Sequence, residues 1–331
     1  GVVGQFAGRV NQFRFTLQDS MLQARLVRRY GVKNTGMGKN ADQIIERSNT
    51  PGIFQSYKIL AYTPDKKAVV VDMTELFLES SRLTNPFPSY AGNSLYGFVQ
   101  RIHKFQSQRS ELLGICGNDN SMSVRCNLGF NVDRLVLGSF MQAKDVPVSV
   151  TVNKILMLLP EDPMRPRLAD SRIGVNAIIQ TELPDVCQGI KTYYITKRWR
   201  IEPVDEIRYK QGEMVDVKKP IVFYIDTLMP DSWIKYVKAG AEAWNAAFEK
   251  IGLRNVVRTE LFPKDSSFDA GDIHNSVIRY APSWMYYPQY SMHTDPRTGE
   301  ILNASVYLPA NVASYFYTSR TEETMAVDPS V

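Results

Sequence analysis

Three histidines, His103, His274 and His293, stand far apart in 331 residues, so no H-E-x-x-H and no histidine pair at i, i+4 could hold zinc from one helix face. G-x-S-x-G, the P-loop and G-x-G-x-x-G are absent as well, which removes the common hydrolase and nucleotide signatures. Asp265, Asp269 and Asp272 in PKDSSFDAGD could gather oxygens about a calcium ion, but their spacing is not that of an EF-hand and a solvated acidic loop is the plainer account. His274 near Asp272 and His293 near Asp295 read first as hydrogen-bonded loop residues. Cys126, beside Arg125, could be a thiolate held over a metal; a core or disulfide cysteine is the plainer reading. The odd set Cys116, Cys126 and Cys187 allows at most one internal disulfide. Cys116 and Cys126 could close a ring around GNDNSMSVR in an oxidising compartment, and three reduced, buried thiols fit the count equally.

The stretch QYSMHTDPRTGEILNASVYLP reads as strand, turn, strand. Ile301, Asn303, Ser305 and Tyr307 alternate with Leu302, Ala304, Val306 and Leu308, a half-buried pattern, and Gly299 suits an αL position in the turn. Gln289, Tyr290, Ser291, Met292, His293 and Thr294 form the shorter, more polar strand, as edge strands often are. Such an edge can take an extended peptide by β-augmentation, or be only an edge.

The elements that would position this strand start at Lys219. Ile221 to Ile225 form an apolar, β-branched and aromatic run that fits a strand covered on both faces. Pro230-Asp231 then predicts a turn and an N-cap acceptor, and Gly252 a C′ residue, around one long helix. Trp233, Val237, Gly240, Trp244, Ala247, Phe248 and Ile251 fall on one stripe, with Lys235, Lys238, Glu242 and Glu249 opposite; Gly240 in that stripe predicts a close approach of helix to sheet. Asn255 to Phe262 and SVIRYA supply further strands, so the order β, α, β, β indicates an α/β layer.

Upstream the chain reads as β-rich. FRFTL and MLQARLVRRYG flank Gln18-Asp19-Ser20 as an opening hairpin, and IFQSYKILAY and KKAVVVDM flank the Pro64-Asp65 turn as a second. MTELFLESSRL predicts a short helix capped from Thr74, and VPVSVTVNKILMLLP a pair of strands or one long one. VDEIRYKQGEMVDVKKP is charged and poor in apolar residues, which marks a linker. The reading is α+β: residues 1–203 a β-rich domain, 204–219 a linker, and 220–331 an α/β domain with a mixed sheet and one long helix. A net charge of +5 with interleaved signs makes no case for nucleic acid, and no apolar run approaches the ~20 residues of a membrane span. The first thirty residues hold no signal-type apolar region, so the expectation is a cytoplasmic protein or one whose targeting segment precedes Gly1.

From about Arg165 to Pro329 the chain resembles the large extracytoplasmic bacterial zinc-dependent metalloproteases of metzincin type. The resemblance rests on KPIVFYIDTLMP, YVKAGAEAWNAAFEKIGL, FPKDSSFDAGDIHNSVIRY, DPRTGEILNASVYLP and the closing AVDP, with RLADSRIGVN and YYITKRWRIEP upstream. It implies that Gln289 to Thr294 is the antiparallel edge strand along which a peptide or protein substrate lies, that Ile301 to Leu308 is parallel to the rest, and that the chain is secreted, periplasmic or on the cell surface. It also implies that zinc and its general base belong to an H-E-x-x-H-x-x-G-x-x-H helix beyond Val331. No residue of this chain then has a metal or catalytic role, and the fragment is expected to be inactive. An apolar sheet face should be left partly exposed unless residues 308–327 fold over it. Two other readings compete: a non-enzymatic protein- or glycan-binding module, and a degenerate protease homologue that kept its cleft without its metal.

Overall fold

Period-two alternation predicts strands through the first half of the chain, and the structure forms them, but burial follows the alternation strictly only on Ser121–Val136, whereas Phe15 and Leu17 of the first hairpin are exposed. The computed structural model describes residues 12–27, 32–34, 43, 47, 51–79, 90–94, 97–136, 143–183, 191–264, 268–282 and 288–325. Cys187, Asp265 and the closing AVDP lie outside the described residues, as do most of the GVKNTGMGKNADQ loop and the ends of the opening hairpin.

Strands β1 (Phe13–Gln18) and β2 (Met21–Leu26) form the opening hairpin, turning at Asp19 with φ 53°. Strand β3 (Val32–Asn34) follows, and β4 (Ile53–Tyr62) and β5 (Val69–Val71) form the second hairpin beside the first, in the order β1-β2-β4-β5. Helix α1 (Thr74–Leu78) comes next. It is not capped by Thr74: the Asp72 carboxylate accepts from the Thr74 N–H and hydroxyl instead. Strands β6 (Tyr90–Ser94), β7 (Gly97–Gly117), β8 (Ser121–Val136) and β9 (Ala143–Met157) make a second four-stranded antiparallel sheet in chain order. On β8, Val124, Cys126, Leu128, Phe130 and Val132 are buried at every second position, and they share one core with Ala24, Tyr57, Leu76 and Phe77. Strands β10 (Ala177–Leu183) and β11 (Lys191–Thr196) form a three-stranded sheet with β3.

The two cysteine alternatives are separated by register. Cys116 lies opposite Ser123 and Cys126 opposite Leu112, so the two are offset by three residues, roughly 10 Å along the ribbon and beyond disulfide reach. Both are free thiols, Cys116 exposed and Cys126 fully buried. Burial pushes the Cys126 thiol up, which opposes the reading of Cys126 as a metal-capping thiolate.

The described residues fall into two compact units. Among the described residues, Glu161–Ile178 and those from Ile195 onward form one compact unit, and the remainder, with Ile179–Tyr194, forms the other. The charged stretch 204–219 lies within the first of these units and is folded. It folds as helix α2 (Glu206–Lys210), whose N–H groups at Ile207 and Arg208 are accepted by Asp205, and strand β12 (Val215–Asp216). The few apolar residues in that charged stretch suffice, because Val215 and Val217 are buried with Tyr209 packed against them.

Strand β13 (Ile221–Ile225) leads into α3 (Asp231–Glu242) and α4 (Asn245–Glu249), then β14 (Leu253–Arg254), β15 (Val257–Leu261), β16 (Ser276–Ala281), β17 (Gln289–Thr294), β18 (Ile301–Pro309) and α5 (Val312–Thr324). Five of these strands form a sheet in the order β15-β13-β16-β18-β17, parallel except for β17.

One long helix was expected here, and two segments are found. The Ala243 N–H reaches back four residues to Ala239, whereas those of Ala246 and Ala247 reach only three, so the winding tightens at the junction. The cause is the adjoining sheet edge. The Asn245 side chain accepts from the Val257 N–H and donates to its C=O, both at 2.8 Å, and Glu242 accepts from the N–H and hydroxyl of Thr259. The buried stripe is rotated accordingly. Ile234, Val237, Ala241, Asn245 and Phe248 are half-buried, while Trp244 and Ile251 are exposed, and a Cβ at Gly240 would meet nothing within 4 Å. Gly240 is thus no point of close approach, and Asp231 is the first helical residue rather than a side-chain cap.

Gly252 and Gly299 do carry conformational weight. Gly252 adopts φ +83° as the residue that ends the helix. Gly299, at φ +76°, packs so closely on Thr196 that a Cβ would collide with its carbonyl oxygen. Gly299→Ala is expected to cost about 2–4 kcal/mol, from αL strain plus overpacking, read as a lowered midpoint in urea unfolding. Asn245→Ala leaves both Val257 main-chain groups unpaired and should cost about 2 kcal/mol in the same measurement, whereas the exposed Gly240→Ala should stabilise by about 0.5–1 kcal/mol.

Candidate functional site

Strand β17 is the edge that the sequence pattern singled out, and the backbone shows which of its groups are open. The N–H groups of Ala304 and Ala310 point toward β16, where Ser276 Oγ (3.2 Å) and the Ala281 carbonyl (3.1 Å) accept them. Because the strand alternates, Asn303, Ser305 and Tyr307 face β17, and their register partners His293, Ser291 and Gln289 face back. Tyr290 and Met292 therefore turn their N–H and C=O groups to the outer edge. At the opposite edge of the same sheet the equivalent groups of Val257 and Thr259 are occupied by Asn245 and Glu242.

The two faces of the sheet differ in kind. His293, Asn303, Ser305 and Tyr307 lie on one. There Asn303 is buried and its side-chain amide donates to the Asn275 carbonyl, which ties the 268–275 loop to the sheet. Tyr224, Phe262 and Phe268 pack together at 5.0 and 5.1 Å ring separations and hold the same loop. Its carboxylates serve the loop itself: Asp269 accepts from the Gly271 N–H, and Asp272 from the N–H and ring of His274. Tyr290 and Met292 share the other face with Val306, Leu308, Ile278 and Phe223. Helices α3 and α5 stand over this face, and between them an apolar groove of about 830 Å³ stays open, bordered by Trp233, Val237, Trp244 and Phe316. Residues 312–324 border the groove rather than fill it, since Tyr315, Phe316 and Tyr317 are exposed and only Val312 is buried.

The turn joining β17 to β18 is held by buried charge. Asp295, fully buried, accepts from the Arg297 N–H and guanidinium, and Thr298 Oγ1 accepts from the Glu300 N–H. Burial pushes the Glu300 carboxyl up; it accepts from the Met164 N–H, and Arg198, its register neighbour, donates to the Arg165 carbonyl. These bonds pin the connector before β10 to the hairpin turn.

No group of three or more His, Cys, Asp or Glu side chains is gathered among the described residues. The residue pattern indicates the edge strand but not the clasp that closes the other edge, because Glu242 and Asn245 look like members of a solvated helix face. The groove was also beyond it in detail, since Trp199 and Phe316 reach it from distant segments.

Residues 5–204 match a protein family described as Domain of unknown function (DUF5117). The chain belongs to this family. No curated protein and no solved structure matches it. The DUF5117 match ends before β13, so the five-stranded sheet and its open edge lie outside the matched residues. No helix among the described residues is long and apolar enough to cross a membrane.

His293 has a depressed pKa because burial penalises its charged form. Its protonation is then tighter in the unfolded chain, so it opposes folding as pH falls below the usual 6.5. Imidazole resonances followed by NMR should show His293 titrating below 6.5; a midpoint at or above that value would place it in an open, solvated position.

Proposed function

We propose that this chain is the N-terminal region of an extracytoplasmic zinc-dependent endopeptidase, in which β17 holds a substrate peptide in extended form and the apolar groove seats a further helix of the protein. The observation that carries the reading is the sheet order β15-β13-β16-β18-β17, with only the last strand antiparallel and, among the described residues, no strand paired beyond it. KPIVFYIDTLMP, SVIRY and DPRTGEILNASVYLP, among the stretches that resemble metzincin-type proteases, fall on β13, β16 and β18 of this sheet, and the groove beside α3 leaves room for a further helix.

The described residues do not supply a zinc ligand set, so the metal and the general base would come from outside them. What this chain contributes is orientation. Tyr290 and Met292 offer the N–H and C=O groups of an added strand, and Asn245 and Glu242 close the far edge so that strand addition is directed to β17. A strand held this way has its scissile bond fixed in direction before chemistry begins.

The reading frame beyond Val331 is expected to encode H-E-x-x-H; a stop codon or a continuation lacking the motif overturns the protease reading. On the chain itself, Met292→Pro removes an outward N–H and should weaken binding of a fluorescein-labelled extended peptide by about tenfold, by anisotropy, with the far-UV spectrum unchanged. Equal binding by wild type and variant would mean that β17 is only an edge.

A further inference from the structure

The sheet β6-β7-β8-β9 also ends in an edge, and its chemistry is different from that of β17. Among the described residues, strand β9 ends this sheet and pairs with β8 alone over Ala143–Met157. Its orientation follows from one bond: Leu158 donates its N–H to the Asn120 carbonyl at 2.8 Å, with Met157 opposite Ser121. Even-numbered residues of β9 therefore face β8, and odd-numbered ones turn their main-chain groups outward from Val146 to Met157, where the register is unbroken. Pro147 agrees with this, for it sits at an outward position where no N–H is needed by β8.

Ser149 and Thr151 are exposed and point outward, whereas Val148, Val150 and Val152 are half-buried on the core side. The run Val148-Ser149-Val150-Thr151-Val152 reads nearly the same in both directions. An antiparallel copy centred on Val150 puts Val148 opposite Val152, Ser149 opposite Thr151, and Val150 opposite itself. Hydroxyls then meet hydroxyls on the outer face and β-branched apolar groups meet on the inner face, both favourable cross-strand pairs. The nearest charge, Lys154, falls opposite Val146, so no like charges are opposed. Such self-complementarity is what a two-fold interface requires, since the same patch must serve both sides.

We propose that β9 pairs antiparallel with β9 of a second copy of this chain about a two-fold axis at Val150, joining the two sheets into one. Ser149 and Thr151 of each copy exchange their N–H and C=O groups with those of the other. Pro147 ends the ladder, which keeps the pairing to a closed dimer rather than an extended stack.

Sedimentation velocity on the full chain over a range of concentrations tests this. The wild type should show a reversible dimer, and Thr151→Pro, which removes an outward N–H from each copy and no bond to β8, should weaken it about tenfold or more. The double variant Ser149→Glu, Thr151→Glu opposes like charges and should leave only monomer; it decides the matter if the proline variant does not fold by circular dichroism. Val150→Cys in a Cys116→Ser background should oxidise to a covalent dimer, because the two thiols meet on the axis. A wild type monomeric at 100 µM (on the order of that concentration), or a dimer unchanged in the charged variant, overturns the proposal; the latter would place the interface on another surface.

Discussion

Helices α3 and α4 are fixed to their sheet by side chains that imitate a strand. The Asn245 amide meets the Val257 peptide group edge to edge, and Glu242 meets Thr259 one step along, so the outermost strand finds its missing partners in a helix. Unpaired main-chain groups at a half-buried edge are costly, and this arrangement removes the cost without another strand. Much else in the unit follows. The helix must bend where Asn245 enters the sheet edge, its apolar face is rotated toward Ile225 and Ile278, and the space beside it becomes the groove.

The same clasp makes the two edges of the sheet unequal. On the β15 side the edge is finished, while on the β17 side Tyr290 and Met292 retain outward main-chain groups. The hairpin that delivers β17 is correspondingly rigid: Asp295 is locked to Arg297, Gly299 takes a conformation that a side chain would strain, and Glu300 is buried against the connector. Main-chain groups on a well-held hairpin lose little entropy if a strand is added to them.

The other unit is stabilised in a simpler way. Two antiparallel sheets and α1 close over Leu128, Phe130 and Val124, and Lys154 reaches from β9 to donate to the carbonyls of Leu76 and Glu79 at the end of α1. Its long strands leave an edge whose sequence is its own complement.

Much of this was legible in the residues. Alternation placed both opening hairpins, the buried face of β8 follows a strict period of two, and the paired strands about Gly299 were evident from a turn residue and a half-buried pattern. These features are local, set by one residue and its near neighbours. Helical periodicity could say that α3 had an apolar side but not which few degrees of it would face the sheet, and so it misplaced Gly240, Trp244 and Glu242. It could not see that Val215 and Val217 would bury a stretch that looks like a linker, or that three residues of register keep Cys116 from Cys126. Those outcomes depend on partners far away in the chain, and only the tertiary structure decides which polar side chain ends up beside an unsatisfied strand.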